Sequence, residues 1–293
     1  MAVTFITDPW AWWVEPFVVN PFMRNALWAG LLAAVTTSIV GAWVVLRGLA
    51  FLGDALAHGV LPGIALAFVI GVDTSIGAFV AALVMVGGVG LIRNHSPLPD
   101  DTSIGILFVG FLALAVVIMS SQIGAYTGDL NRFLFGSITS VTTAGLRRQL
   151  IAAAVVLTGV VVFYRAFLVM TFDEVQARML GFRPKLANVG LLVLLAVAIV
   201  ASFETVGSLL VFAFLVAPPA AASLIVRRVP WLMITGALLG AVSAVVGILL
   251  SFHHRMAAGA AMALTSVVIF FVVLAGSVAV RALADRRRDP ATT

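Results

Sequence analysis

An aspartate and a histidine, Asp54 and His58, stand four residues apart inside the otherwise apolar segment 52–71. On a helix this spacing places both side chains on one face, one turn apart. A carboxylate and an imidazole in this arrangement could bind one divalent ion between them, since both are good ligands for Zn²⁺ and Mn²⁺. The alternative is an Asp–His pair that only fixes helix packing.

The composition predicts that this pair lies in a membrane. Hydrophobic residues make up 62% of the 293 and charged residues only 10%, and the mean hydropathy is +1.18. A soluble domain carries about a quarter charged residues, whereas a membrane-spanning helix needs about 20 apolar ones, which leaves room for roughly eight to ten spans. We therefore predict one all-α polytopic domain in a lipid bilayer, where ionisable residues are costly and indicate function.

Apolar runs between charges and Gly/Pro breaks predict nine membrane-spanning helices, with eight as the alternative if one segment is re-entrant or interfacial. They cover residues 26–46, 52–71, 74–93, 102–122, 149–164, 186–203, 207–226, 230–252 and 257–280. Residues 1–20 are typical of an interfacial aromatic anchor, residues 21–282 form the membrane domain, and residues 283–293 form a cytoplasmic tail. Between the fourth and fifth spans we expect an outer turn at 124–128 and a short helix over 129–145.

The basic residues predict the orientation of the chain. With nine spans and a cytoplasmic C-terminus, the inner loops carry twelve of the 17 Lys and Arg residues and the outer side carries five. The positive-inside rule therefore places the N-terminus outside and the C-terminus in the cytoplasm, in a bacterial inner membrane. The same rule accounts for the net charge of +5, so no nucleic-acid partner is expected. The first residues have no basic region or cleavage pattern, so no removed signal peptide is expected.

Small residues follow the Asp54–His58 pair. Gly59 and Gly63 are four apart and permit close helix contact, and Pro62 lacks an N–H and is expected to kink the helix. If the helix begins near residue 52, His58 lies about 9 Å into a hydrocarbon core about 30 Å thick. Ordinary close packing remains the alternative to a gating role for these three residues.

Two further histidines, His253 and His254, follow the eighth span on the predicted outer side. Adjacent residues on a helix point about 100° apart, so the two do not readily bind one ion together. Either could be a ligand at the outer mouth of a pathway, or simply be solvated. The chain has no cysteine, so a bound metal must use histidine, carboxylate, backbone carbonyl or water.

The most polar inner stretch, residues 165–185, predicts a short amphipathic helix on the cytoplasmic surface. Residues Ala177 to Leu180 favour a helix, Gly181 suits the left-handed position that ends it, and Pro184 prevents its continuation. Such a helix is typical of a docking element for a partner. An ordinary charged loop is the alternative.

The sequence carries no catalytic signature that we can identify. It has neither a G-x-x-x-x-G-K-[ST] phosphate loop nor a G-x-G-x-x-G turn, and neither H-E-x-x-H nor G-x-S-x-G occurs. We therefore expect a protein that is not itself an enzyme.

Four stretches resemble the permeases of zinc, manganese and iron ABC importers, over about residues 21–280. They are residues 21–27 leading into VLRGLAFLGDALAHGVLPG at 45–63, FLFGS at 133–137, FDEVQARMLG at 172–181, and VGSLLV at 206–211 leading into APPAAA at 217–222.

The resemblance implies a type II, cobalamin-importer-like permease that functions as a homodimer by alternating access. Separate ATPase subunits would hydrolyse ATP, and an extracytoplasmic metal-binding protein would deliver Zn²⁺ or Mn²⁺ as cargo, with no permanent cofactor. By matching position, Asp54 and His58 would lie on the metal pathway. The ATPase-coupling residues would be Asp173, Glu174, Ala177, Arg178, Leu180 and Gly181, and the helix-packing or gating residues would be Gly59, Pro62, Gly63, Pro218 and Pro219.

The turn before the last span departs from the family's pattern. Relatives commonly carry an acidic residue and a Pro-Ser-Gly run there, whereas this chain has His253, His254 and Arg255. It resembles a subgroup with paired histidines, which favours zinc over manganese. Three other functions stay open: a permease for a metal chelate such as a siderophore or cobalamin, an ion-coupled secondary carrier acting alone, and a structural subunit without flux.

Overall fold

The computed structural model describes residues 9–120 and 141–288, and within these ranges all regular secondary structure is helical. The thirteen helices of this part are α1 Pro9–Trp13, α2 Glu15–Val19, α3 Pro21–Leu46, α4 Ala50–Gly59, α5 Leu61–Ile70, α6 Thr74–His95, α7 Asp100–Ser120, α8 Thr143–Phe172, α9 Glu174–Met179, α10 Pro184–Val206, α11 Ser208–Ile225, α12 Val229–His254 and α13 Ala258–Arg288. The motif at 133–137 and the predicted turn at 124–128 lie outside the described residues.

The predicted all-α polytopic architecture is confirmed. Among the described residues, eight helices are long and apolar enough to cross a membrane, and Leu210–Ile225, within α11, is a shorter apolar one. The nine predicted spans match these nine segments, the second being the α4–α5 pair. The 18 residues of α11 rise about 27 Å, against a hydrocarbon core of about 30 Å, so the choice between eight and nine spans rests on this helix.

Several helices are longer than the apolar runs that predicted them. The fifth span, predicted over 149–164, belongs to the 30-residue helix α8, and α13 continues to Arg288, into the segment predicted as the tail. Residues 143–145 begin α8, so they do not end a separate outer helix. Hydropathy locates only the part of a helix inside the hydrocarbon, because charged ends outside it keep their helical hydrogen bonds.

The second span is interrupted directly after the Asp54–His58 pair. Helix α4 ends at Gly59, α5 begins at Leu61 with Pro62 in its first turn, and Val60 between them keeps a nearly helical conformation. A proline cannot donate to the carbonyl four residues earlier, which is that of His58. The kink predicted from Pro62 therefore lies within a few residues of the candidate metal ligand.

Helix α3 occupies the centre of the bundle and packs against α8, α10, α11 and α12. Its Trp43 is fully buried and makes edge contacts with Tyr164 and Phe167 of α8, with ring centroids 5.7 and 5.8 Å apart. Small residues on the opposite side of α3 let other helices approach closely. At Gly41, for example, an added methyl group would overlap the Leu215 carbonyl of α11. The core is therefore built by close approach of backbones around one helix.

Two consecutive prolines stand inside α11. Pro218 and Pro219 have no N–H to donate, so the carbonyls four residues earlier, at Phe214 and Leu215, lose their helical donors. The Ser38 hydroxyl of α3 donates to the Phe214 carbonyl at 3.1 Å. A neighbouring Ser or Thr is a recognised way for a membrane helix to satisfy a carbonyl freed by proline.

Candidate metal pathway

The Asp54 and His58 side chains face each other on α4. The Asp54 Oδ1 and His58 Nε2 atoms are 3.6 Å apart, and the side chains are 30% and 25% exposed, respectively. The predicted placement on one helical face is therefore what the structure has. A separation of 3.6 Å is longer than a hydrogen bond, for which about 2.7–3.2 Å is typical, so the two atoms do not satisfy each other.

The same separation suits two ligands of one ion. Zinc binds histidine nitrogen and carboxylate oxygen at about 2.0–2.2 Å with tetrahedral angles, which places two ligand atoms roughly 3.3–3.6 Å apart. The Asp54–His58 distance of 3.6 Å needs little adjustment to accept an ion. The distance is therefore compatible with ligation of one ion, and it is also within the range of an Asp–His ion pair.

Aromatic side chains flank the pair. The His58 ring meets the edge of Phe108 on α7, with centroids 5.8 Å apart and planes at 68°. Phe51, one turn before Asp54, contacts the Phe108 ring, with centroids 6.4 Å apart. An apolar wall on one side lowers the local dielectric and strengthens any charge interaction made by the carboxylate.

Glycines allow the back of α4 to lie against two other helices. A methyl group at Gly53 would overlap the Leu215 side chain of α11, and one at Gly59 would overlap the Met85 sulfur of α6. The glycines and the polar pair thus hold different sides of α4. A larger residue at Gly53 or Gly59 would have to displace the Leu215 or Met85 side chain, respectively, or shift α4.

The next crossing, between α5 and α6, is closer still. A methyl group added at either Gly63 or Gly77 would strike the carbonyl oxygen of the other glycine. The predicted contact role of Gly63 thus has its partner in Gly77, which the sequence did not indicate. One small residue in an apolar run carries no signal about its partner; only the tertiary structure pairs the two.

One chain supplies few metal ligands. Within residues 9–120 and 141–288, no group of three or more His, Cys, Asp or Glu side chains could hold a metal ion together. Structural zinc sites use four protein ligands and catalytic ones three. A two-ligand site suits brief occupancy during passage, because an ion that is held too tightly cannot leave.

His253 is engaged with the N-terminal segment. Its ring stacks on Trp12 of α1, with centroids 4.5 Å apart and planes at 11°, and its Nε2 lies 3.1 Å from the Trp12 carbonyl oxygen. His254 is exposed beside it. The structure therefore places neither histidine with Asp54 and His58, and the predicted ligand role at an outer mouth stays a prediction. The contact between His253 and Trp12 was not foreseen from the sequence.

The predicted short helix is present as α9, which begins at Glu174, earlier than predicted, and ends before Gly181, as predicted. The Asp173 carboxylate accepts a hydrogen bond from the Gln176 N–H at 2.9 Å, which caps the N-terminus. At the other end Gly181 is left-handed, with φ of 79°, and the Phe182 N–H donates to the Ala177 carbonyl at 3.0 Å. This hydrogen-bonded turn joins α9 closely to α10.

Helix α9 is amphipathic, with one side on the bundle and the other open. Ala177 is fully buried, whereas Met179 is 83% exposed. Phe172, Val175 and Leu180 are also exposed, and Glu174 and Arg178 pair across one turn at 2.7 Å. A short surface helix that presents apolar side chains outside the membrane region is a suitable contact for another protein.

Taken together, these features define a class of protein: a polytopic α-helical membrane permease with an ionisable pair inside a broken span and an exposed surface helix. A sequence profile described as the ABC 3 transport family matches residues 19–277. The chain belongs to this family of ABC transporter permeases.

Individual relatives agree with this assignment. The chain is 33% identical to the manganese transport system membrane protein MntC of Listeria monocytogenes over 88% of this chain and 92% of that protein. It is 35% identical to the chelated iron transport system membrane protein YfeD of Yersinia pestis over 95% of this chain and 92% of that one. Among solved structures, PsaBC from Streptococcus pneumoniae in complex with Fab matches with a TM-score of 0.82 and 30% identity, covering 90% of this chain and 94% of the other.

Proposed function

We propose that this chain is the membrane-spanning subunit of an ATP-driven importer for bare divalent transition metal ions. The observation that carries the proposal is the Asp54–His58 pair, whose 3.6 Å separation fits two ligands of one ion inside a membrane-spanning helix. The ion is cargo: it passes the pair as the permease opens toward one side of the membrane at a time.

Manganese is the first candidate for the cargo. The Listeria relative is named for manganese, and the paired histidines that favoured zinc include His253, which stacks on Trp12. Iron is the second candidate, because the Yersinia relative is named for chelated iron. Zinc stays a candidate because a carboxylate–imidazole pair accepts several divalent ions. Selection among them then rests on geometry and supply.

The complete importer contains more than this chain. We infer two copies of the permease, which together would offer two carboxylates and two imidazoles, since one chain supplies only a two-ligand pair. ATPase subunits would bind the exposed surface of α9 in the cytoplasm, and an extracytoplasmic protein would deliver the metal on the opposite side. ATP binding would then move α9 and, through the helices, the metal pathway.

An N-terminus outside and a C-terminus in the cytoplasm of a bacterial inner membrane rest on the positive-inside rule, and contacts between loops agree with the alternation of sides along the chain. Arg148 and Asp73, both predicted on the outer side, form an ion pair at 3.2 Å. Arg47, predicted in an inner loop, and Asn188, near the inner end of the predicted sixth span, form a hydrogen bond at 2.7 Å. Helix α1 likewise lies against His253 in an outer turn. Each contact joins segments that the proposed orientation places on one side.

The second candidate is import of a metal chelate, and the name of the Yersinia relative favours it. A chelated metal already has its ligands and needs a wide path, so neutralising the pair would leave chelate uptake unchanged.

The test is elemental analysis of cells that express the complete transporter with the parent chain, Asp54→Asn or His58→Ala, supplied with manganese, zinc and iron. We expect one metal to accumulate with the parent and its uptake to fall more than about tenfold in each variant, since even losing a partner of a metal ligand costs 10- to 100-fold. Matched controls are Asp73→Asn and His95→Ala, which change exposed residues of the same types.

Each outcome has a definite meaning if the variants insert and assemble. If the uptake of one metal falls in both Asp54→Asn and His58→Ala while the control variants keep it, import of that ion is supported. Parent-like uptake in Asp54→Asn and His58→Ala would make the pair structural and shift the choice to chelate import. A parent that accumulates none of the three metals would overturn the proposal.

A further inference from the structure

The inner end of α4 is bonded to the inner end of α10. Arg47 caps α3 two residues before Leu49 and the start of α4, and its Nη1 donates to the Asn188 Oδ1 of α10 at 2.7 Å. Both side chains are half-buried. A charged donor makes this a stronger contact than a neutral hydrogen bond, and it ties together two helices that are distant in sequence.

The same region adjoins the docking helix. A recess of about 200 Å³ is lined by both Arg47 and Asn188, and also by Glu174 of α9 and Lys185 of α10. Helix α9 is joined to α10 by the short turn that ends with the Phe182-to-Ala177 hydrogen bond. A displacement of α9 therefore changes the recess in which the Arg47 guanidinium lies.

From Arg47 the path to the candidate metal ligands is short. The turn at residues 47–49 is closed by hydrogen bonds from the Gly48 and Leu49 N–H groups to the Val45 and Val44 carbonyls. Helix α4 begins at the next residue and carries Asp54 in its second turn. A contiguous series of bonded segments thus runs from α9 through α10, Asn188 and Arg47 to α4.

We propose that the Arg47–Asn188 hydrogen bond is the positioning contact that transmits movement of the ATPase-docking helix α9 to the metal-binding helix α4. The proposal rests on the proposed function, because it takes α9 as the ATPase contact. Arg47 touches no cargo; it acts by fixing where the inner end of α4 lies in each nucleotide state. The recess beside it leaves room for the guanidinium to follow α9.

The test uses the complete complex in proteoliposomes with a single reporter cysteine, Ala50→Cys, at the first residue of α4. The chain has no cysteine of its own, so maleimide labelling of this subunit, resolved from its partners on a gel, reports on α4 alone. In the parent we expect the labelling rate to differ between the nucleotide-free and ATP-bound complex. With Arg47→Ala or Asn188→Ala this difference should shrink by roughly 2- to 30-fold, the range for residues that carry coupling between sites, while ATP is still hydrolysed.

Controls separate coupling from folding. Asn188→Asp keeps an acceptor for Arg47 and should keep the difference, and Arg148→Ala removes an arginine from the outer ion pair and should also keep it. The Arg47→Ala, Asn188→Ala double variant should lose no more of the difference than Arg47→Ala alone, because that substitution already removes the bond to Asn188. A merely structural role would instead lower ATP hydrolysis and assembly together.

The inference is overturned if the ATP-dependent difference in labelling survives both alanine variants, or if the parent has no such difference. Metal uptake is measured on the same proteoliposomes. The parent could take up no metal and still have an ATP-dependent difference in labelling that is lost in Arg47→Ala. That result would contradict the proposed cargo but would support the coupling contact.

Discussion

Two carboxylates show how much the surroundings decide what one residue type does. Asp54 lies in a membrane span, 3.6 Å from an imidazole and without a close hydrogen bond to it. Asp73 lies in the turn between α5 and α6, where its Oδ1 accepts the Ser75 N–H at 2.8 Å and its Oδ2 pairs with Arg148 at 3.2 Å. The first is the proposed ligand of the transported ion, whereas the second caps the start of α6.

The Asp73 cap predicts a pH-dependent stability. The hydrogen bond from the Ser75 backbone, aided by the Arg148 charge, lowers the pKa of Asp73 below its ordinary 3.8. A lowered pKa in the folded state stabilises the protein above the ordinary value, and this contribution is lost as the pH falls below it. Asp73→Ala should therefore lower the free energy of unfolding by about 1 kcal/mol at pH 7 and by much less near pH 3.

Thermal unfolding in detergent at the two pH values measures this. Asp73→Asn is the matched control: it keeps a capping oxygen and so should remain stable at pH 7, but without the pH dependence due to this carboxyl. An equal loss for Asp73→Ala at both pH values would refute the titration argument.

At the scale of elements, the bundle depends on how helix α11 meets α3. The double proline of α11 frees two carbonyls, and the Ser38 hydroxyl binds that of Phe214 at 3.1 Å, while Gly41 lets the Leu215 carbonyl approach. Leu215 also packs on Gly53, directly before Asp54. The proline segment of α11 is therefore part of what positions the candidate metal helix.

Ser38→Ala should destabilise the bundle, because it leaves the buried Phe214 carbonyl without this donor. We expect a loss of about 1 kcal/mol, since hydrogen bonds between membrane helices contribute about 0.6 kcal/mol on average and up to about 1.7. The matched control is Ser243→Ala. Ser243 is equally buried, but its hydroxyl bonds only the Leu239 carbonyl of its own helix, so its removal frees no carbonyl from a second helix.

Resistance to unfolding in a detergent series compares the two variants. A larger loss for Ser243→Ala than for Ser38→Ala would mean that the Ser38 hydroxyl is not what satisfies the proline-freed carbonyl.

At the scale of the whole molecule, the parity of the spans determines where the termini lie. Nine spans place them on opposite sides, and eight place them on the same side. Because the chain has no cysteine, one introduced cysteine can be labelled without background. Position 10 in α1 is 65% exposed. We expect Trp10→Cys to react with a membrane-impermeant maleimide added to spheroplasts, in which the cytoplasmic membrane is intact.

A cysteine added after Thr293 should react only once the membrane is opened. Labelling of both positions from the outside would instead require an even number of spans, with α11 as the segment that fails to cross. If neither cysteine is labelled from the outside, the N-terminus lies in the cytoplasm, opposite to the proposed orientation.

Much of this protein follows from its sequence. Apolar runs of about 20 residues with few charges identify membrane helices regardless of their neighbours, because no other structure satisfies the backbone in hydrocarbon except a closed barrel. The same locality explains why the Asp54–His58 face, the helix break near Pro62 and the C-terminal end of α9 could be predicted. Each depends on residues within one or two turns of each other.

The contacts between distant segments required the tertiary structure. Nothing local in the sequence pairs Gly63 with Gly77, Ser38 with Phe214 or Arg47 with Asn188. Nor does any local pattern indicate that the His253 ring stacks on Trp12. Helix packing in a membrane is driven by close fit and not by hydrophobic patterning, since lipid is as apolar as the helices themselves. The sequence therefore determined which segments cross the membrane, and the tertiary structure alone decided which of them meet.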